Sequence, residues 1–494
     1  MKTKIIAIDQ STSATKAMLF NEDCQLLKRV NVPHKQYYPK AGWVEHDAEE
    51  IYSNTVSAIS QLLKDECKDD SFYTLAITNQ RETVVVWDKS TGKPISNAVV
   101  WQCMRGTDIC NDLREKGYND LVHERSGLLL DPYFSASGVK WILDNVDGAR
   151  NKADKGDLLM GTIDAWLVWK LTNGKVHATD YTNASRTMLF NIHTLDWDED
   201  LLALFTIPRS MMPKPLPCDS EFGYTTVEGL FEHPILIAGV LGDSHGALVG
   251  QMCFEAGLGK ATYGTGSSVM MNIGEKPLDS PEGLVTSIGF SALGKTYYAF
   301  EGNIHCTGAT IKWLVEKMQL IDSPSEIEAY ATSVSDNGGV YFVPAFAGLG
   351  APWWNANVKA CIQGMTLGST KAHILRAALE AIAYQVKDLV DMMSEKAGVK
   401  VRELRVDGGP TKNNFLMQFQ ADMLGTDISC SDIEEASALG AVIMNGFARK
   451  VWTDFETVAS KRKSRNHITP EMSSEKVVSL HNGWLNAVHT LIKK

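Results

Sequence analysis

Three groups of residues in this chain have types and spacings that could carry chemistry. The first is Asp243, which follows an apolar run at residues 235–241 and the tight exit of Gly242. An acid at a strand-to-helix turn stands at the mouth of a sheet, where it serves either as a general base or as a helix N-cap. The second is the adjacent pair Arg81 and Glu82, between apolar runs at 75–78 and 84–87. A donor fork beside an acceptor pair suits a polyol, because each hydroxyl both donates and accepts. The competing reading is a solvated ion pair on a loop. Neighbours on a strand point opposite ways, so a bend is required if both are to reach one ligand.

The third group is two polar hairpin loops. Gln10, Ser11, Thr12 and Ser13 separate strands expected at 4–9 and 15–20, with Asp9 before the loop and Lys16 behind it. Gly264, Thr265, Gly266, Ser267 and Ser268 separate strands expected at 257–263 and 269–272. Backbone amides and small hydroxyls in such loops can cradle phosphate oxygens, and Asp9 could hold a metal ion through water. An ordinary polar turn is the alternative for either loop taken singly. The two recur about 255 residues apart, roughly half the chain, which reads as a weak internal duplication of pattern. Facing each other, they could clamp the tail of a nucleotide triphosphate.

The elements that must position these groups follow from periodicity. A helix is expected from His46-Asp47 to about Lys64, with Ile51, Val56, Ile59, Leu62 and Leu63 on its apolar face. Residues 84–87 and 98–101 read as a hairpin around Thr91-Gly92, and Trp101 ends it. Tyr133 precedes a helix at 137–144 and, alone, is a packing residue. A helix opens at 161–167. Residues 404–409 form a strand running into the Gly408-Gly409 turn, followed by Asn413 and a helix at 415–424. A glycine pair lets a flat ring or a phosphate approach the backbone. Residues from about 454 onward read as charged and helical, without chemistry.

Bulk properties bound the rest. At 494 residues the chain exceeds one comfortable core. Two domains are expected, 1–250 and 251–494. A net charge of −11 argues against nucleic acid or an anionic membrane as partner. Nine scattered cysteines without a C-x-x-C pair point to a reducing compartment and to neither disulfides nor zinc. The short apolar run at the N-terminus does not make a signal peptide, and no stretch has the length of a membrane span. A cytoplasmic protein with a small-molecule partner is the expectation.

Longer strings carry a resemblance. Residues 38–47 (YPKAGWVEHD), 77–83 (ITNQRET), 179–188 (TDYTNASRTM), 262–266 (TYGTG), 344–352 (PAFAGLGAP) and the stretch 360–380 together resemble the FGGY carbohydrate kinase family, and within it the glycerol kinases. The resemblance runs nearly end to end. It implies an α/β fold of two actin-like (ribonuclease H-like) ATPase domains around a central cleft, closing over ATP, Mg²⁺ and a polyol or sugar. It also implies a homodimer or homotetramer. By that resemblance Asp243 is the catalytic base, and Arg81, Glu82, Trp101 and Tyr133 contact the polyol. Thr12, Ser13, Lys16, Thr265, Gly266, Gly308, Lys312, Gly409 and Asn413 match nucleotide positions. Asp9 matches the acid that holds magnesium through water, with Asp243 a further metal candidate. A non-catalytic actin-like sensor of sugar or nucleotide is the alternative from another class.

Departures from the family pattern concern the substrate. Ser244 stands where glycerol kinases carry glutamine, and Ser268 where they carry phenylalanine. Two large-to-small changes should widen the pocket by one or two hydroxymethylene units, since packed interiors leave no voids. This favours a four- or five-carbon polyol or ketose, with glycerol the alternative. His245 is placed among the substrate residues, against the reading of a satisfied local histidine. Ser11 replaces a glycine, Lys16 an arginine, and Gly138 a lysine.

Overall fold

The computed structural model describes residues 3–64, 72–355, 357–431, 433 and 435–493. Two mixed sheets organise the chain. In the first, β1 (Thr3–Gln10), β2 (Ala14–Asn21), β3 (Leu26–Pro33), β4 (Phe72–Asn79), β5 (Glu221–Thr225) and β6 (Ile235–Gly242) lie in the order β5-β6-β4-β1-β2-β3. Helix α1 (Ala48–Leu63) packs on β2 and β3. Asp47 caps it by accepting from the amides of Glu49 and Glu50. The central strands carry near-continuous apolar runs such as Ile5 to Ile8, because both faces are covered.

The second sheet follows helix α2 (Asp243–Gly250). It contains β7 (Leu258–Tyr263), β8 (Ser267–Gly274), β9 (Val285–Ala292), β10 (Lys295–Ile304), β11 (Glu403–Gly408), β12 (Asp427–Ser431) and β13 (Ser464–Ile468), in the order β9-β10-β8-β7-β11-β12-β13. Its helices are α3 (Gly308–Glu316), α4 (Lys371–Ala397), α5 (Asn414–Leu424), α6 (Ala436–Ala448) and α7 (Ser474–Ile492).

The repeat is topological as well as local. β3-β2-β1-β4-β6 and β10-β8-β7-β11-β12 have the same order and the same directions. Each begins with an antiparallel hairpin, and each hairpin's first strand pairs in parallel with the next strand. Each fifth strand leads into a helix, α2 or α6. These two helices pack on each other in the seam between the sheets, and α6 also packs on β1, β4 and β6 of the first sheet.

Glycine makes the seam close. A Cβ at Gly440 would stand 2.1 Å from the Gly246 carbonyl oxygen, and one at Gly250 would stand 2.0 Å from that of Ala436. The β4–β6 register shifts between Ile237 and Val240, where Gly239 takes φ +75°. Asn445 of α6 fills this irregularity. Its amide donates to the carbonyls of Ala238 (2.9 Å) and Leu75 (3.2 Å) and accepts from the Thr74 hydroxyl (2.9 Å).

Val84–Asp88 turns back through Thr91-Gly92 and pairs antiparallel with Ala98–Val99 at Val84–Val99, the expected hairpin, and it also pairs along its length with Leu158–Thr162 in a four-stranded sheet. Two local expectations are corrected. Gly161 and Thr162 end a strand, and the helix begins at Ile163. The region after 454 includes strand β13, which edges the second sheet.

Candidate active site

Asp243 is the first residue of α2, and the capping position belongs to Gly242. Its carboxylate therefore does not cap the helix. Oδ1 accepts from the Ser244 amide at 2.6 Å and lies 3.2 Å from Arg81 Nε, and the side chain is 37% exposed to a cavity. Gly242 makes this approach possible, because a Cβ there would stand 2.6 Å from Arg81 Cγ.

The bend required between Arg81 and Glu82 exists. Glu82 has φ +63°, a left-handed conformation costly for a residue with a Cβ. Both side chains enter one buried network. Arg81 donates from both terminal nitrogens to Glu301 of β10, each at 2.8 Å. Arg186 Nε donates to Glu82 at 2.5 Å, and its Nη1 lies 2.9 Å from Glu301 Oε2. Burial opposes ionisation of Glu301, yet Arg186 and Arg81 outweigh it and hold the carboxyl well below the usual carboxylate range. Burial lifts Glu82 above that range against the same two cations.

The cavity beside this network has a volume of about 770 Å³. Trp101, Tyr133, Arg186, Asp243, Ser244, Ser268 and Glu301 are on its wall. Trp101 donates from its indole N–H to the Thr12 hydroxyl at 3.0 Å, and its ring meets Tyr133 edge-on with centroids 5.4 Å apart. The first hairpin loop is thereby tied to the wall of this cavity.

A second cavity adjoins the first, sharing Ala247, Thr262 and Ser437 with it. Asp9, Lys16, Asp407, Gly408, Gly409, Lys412, Glu435 and Arg465 are on its wall. Burial above all, with Asp243 and Glu435 nearby, pushes the Asp9 carboxyl up to about 7 against the pull of Lys16. Lys16 Nζ lies 2.7 Å from Glu435 and 3.8 Å from Asp9. Gly408 has φ +100° and is packed on Tyr263, whereas a Cβ on Gly409 would meet nothing within 4 Å. The Gly409 backbone is thus open to a ligand.

The other expected positions divide. Gly266 faces the first cavity, and Thr265, not among its lining residues, is exposed. The Gly308 amide is engaged, donating to Gly264 O at 2.9 Å, so this glycine docks α3 onto the loop. Asn413 caps α5 by accepting from the Leu416 amide at 2.8 Å. Thr12 accepts at its carbonyl from His34 and Gln36, both 2.9 Å away, and Ser13 is exposed. Lys312 is not brought to the site. It is 70% exposed on α3, with Glu316 at 3.7 Å.

His245 is a correction. It is fully buried, lies off both cavity walls, and approaches Ser287 Oγ at 3.3 Å. A helix turns about 100° per residue, so positions 243, 244 and 247 face the cavity while 245 points inward. Burial first, then Arg81, holds its imidazole well below its ordinary pKa. Glu301 and Glu435 are the residues sequence reasoning missed, and Arg186 lay inside a quoted string without a role. Among the described residues no cluster of three or more His, Cys, Asp or Glu side chains is placed to hold a metal ion by itself. No described helix is long and apolar enough to cross a membrane, and the eight described cysteines are free.

Known proteins extend these observations. The family model described as "FGGY family of carbohydrate kinases, N-terminal domain" matches residues 4–250, and its C-terminal counterpart matches 259–449. Glycerol kinase 2 of Thermotoga maritima is 48% identical over 485 residues, covering 98% of both chains. A glycerol kinase of Bacillus cytotoxicus is 47% identical, covering 99% of both. The crystal structure of Plasmodium falciparum glycerol kinase with ADP superposes with a TM-score of 0.95 at 37% identity, covering 99% of this chain and 98% of that one. The chain belongs to the FGGY family of carbohydrate kinases and is an ATP-dependent phosphotransferase with that family's two-domain fold.

Proposed function

We propose that the protein transfers the γ-phosphoryl group of ATP to a terminal hydroxyl of glycerol, giving glycerol 3-phosphate. The observation that carries this is Asp243. Its partly exposed carboxylate stands on the wall of a cavity that adjoins a second, charged cavity. The names of the full-length relatives at 47–49% identity support glycerol as the acceptor.

Arg81 and Glu82 are buried behind the cavity wall and orient the polyol through Arg186 and Glu301, which line it, and Trp101 and Tyr133 cover the carbon chain. Arg81 donates from both terminal nitrogens to Glu301 and meets Asp243 only through Nε, and Asp243 accepts the proton of the attacking hydroxyl. In the second cavity Lys16, Lys412, Arg465 and the open Gly409 backbone suit a polyphosphate. Mg²⁺ fits the same cavity, because Asp9 is a buried carboxyl short of positive charge, and magnesium takes one or two carboxylates together with substrate phosphates. When bound, that ion would neutralise phosphate charge. Transfer itself is mostly positioning and charge stabilisation.

One observation favours a second reading, a four- or five-carbon polyol or ketose. Ser244 and Ser268, the two small residues, open onto the same cavity. ADP release across glycerol, tetritols, pentitols and ketoses separates the readings. Glycerol is expected to lead in kcat/KM. A longer ligand ahead by more than about tenfold, or about 1.4 kcal/mol, would replace it. In that case Ser244→Gln with Ser268→Phe should return the preference to glycerol.

A further inference from the structure

Lys260 of β7 is among the largest fully buried side chains, with 1% of its surface exposed. The polar contacts of its ammonium are two hydroxyls, Ser268 Oγ at 3.2 Å and Thr262 Oγ1 at 3.4 Å. None of the described carboxylates forms an ion pair with it. Arg81, Arg186 and Lys16 are by contrast paired, the first two with Glu301 and the third with Glu435. An ammonium taken out of water without a counter-ion is destabilising. Burial accordingly lowers the Lys260 pKa, against the pull of Asp407 and Glu301.

Its position explains why such a group is kept. Residues 260 and 262 are two apart on β7 and share a face, and Ser268 pairs opposite Thr262. On the other side Thr262 pairs with Asp407. Lys260 and Ser268 line the polyol cavity, Asp407 lines the phosphate cavity, and Thr262 lines both. The unpaired ammonium thus lies where the two cavities meet, on the sheet opposite Asp243.

We infer that Lys260, presented with Thr262 and Ser268, contacts the phosphoryl group in transit and supplies the charge that stabilises it between the two cavities. This rests on the proposed function. The polyol oxygen bonds to phosphorus as the bond from phosphorus to the ADP oxygen breaks, and Asp243 takes the hydroxyl proton. Lys260 exchanges no proton and donates to the equatorial oxygens, where charge is greatest.

The test uses the full chain and the variants Lys260→Met and Lys260→Arg. Removing one preorganised donor at developing charge typically costs about 10²–10³-fold in kcat. Lys260→Met is expected to lose about that much while KM for glycerol stays within about twofold, and Lys260→Arg is expected to recover part of the loss. Calorimetry without nucleotide or magnesium supplies a readout besides turnover. Lys260→Met should bind glycerol 3-phosphate at least about tenfold more weakly and glycerol unchanged. Unchanged ester affinity, or equal losses for glycerol and the ester, would overturn the inference and leave a packing role. A wild type that phosphorylates no polyol overturns the proposed function and this inference with it. If Lys260→Met does not fold, the wild-type Lys260 ¹³Cε resonance, assigned with Lys260→Arg, decides. Glycerol 3-phosphate should raise its midpoint by a unit or more, and no movement refutes the contact.

Discussion

The two strand-to-helix junctions, β6 into α2 and β12 into α6, are equivalent in the repeat, and each places an acid in a cavity. Asp243 opens α2, and Glu435 directly precedes α6. What differs is the partner. Asp243 meets Arg81 of its own half, a cation that already donates two bonds to Glu301, through Nε alone. Glu435 meets Lys16 from the other half at 2.7 Å, a tie across the cleft that an anionic ligand must compete with. One position of the repeat thus gives a cavity-facing acid, the proposed base, in one half and a counter-ion in the other. The assignment comes from where the neighbouring cation is rooted, since the acids themselves are chemically alike.

The comparison can be broken at four points. Asp243→Asn should lower kcat by about 10²–10⁴-fold, the usual worth of a general base, with glycerol binding largely kept. Near-normal turnover in a steady-state assay would remove Asp243 from the chemistry. Glu301→Gln leaves Arg81 and Arg186 short of charge in a buried network and should destabilise the fold by about 3–5 kcal/mol in denaturant unfolding. A loss under 1 kcal/mol would mean that solvent reaches the guanidiniums. Gly440→Ala forces a methyl onto the Gly246 carbonyl and should cost about 1–3 kcal/mol, with kcat falling as α2 shifts. Full stability in a melting curve would show that the seam yields freely. Glu435→Gln, the counterpart of the first variant, should leave kcat unchanged and lower KM for ATP by about 2–5-fold as Lys16 is released, in line with about 0.5–1 kcal/mol for a partly exposed pair. A kcat loss matching that of Asp243→Asn would erase the distinction between the two acids.

Features written in contiguous residues were legible before the fold was known. The two hairpins, the Arg81–Glu82 bend and the Asp243 turn each occupy a few neighbouring positions, and the bend appears as the left-handed Glu82. What escaped depends on distant partners. Glu301 lies 220 residues from the Arg81 it neutralises, on a strand whose burial pattern is that of plain core. Glu435 and Lys16 are separated by 419 residues. His245 was misplaced because adjacency to Asp243 along the chain is opposition around the helix. β13 was missed because its residues, SRNHI, are almost all exposed at a sheet edge and carry no apolar alternation. Lys260 drew no attention, since a lysine in a strand looks like a surface residue until its burial is known.

Asn445 has a consequence for the order in which the molecule can be made. The irregularity in the first sheet leaves the carbonyls of Leu75 and Ala238 to be satisfied by a side chain from α6, near the end of the chain. A buried carbonyl without a partner is costly. As the chain emerges from the ribosome, the 207 residues that separate Asn445 from Ala238 must be synthesised before the opening sheet can be closed. Residues 1–250 expressed alone are therefore expected to present an open gap between two central strands and the bare apolar face that α6 covers.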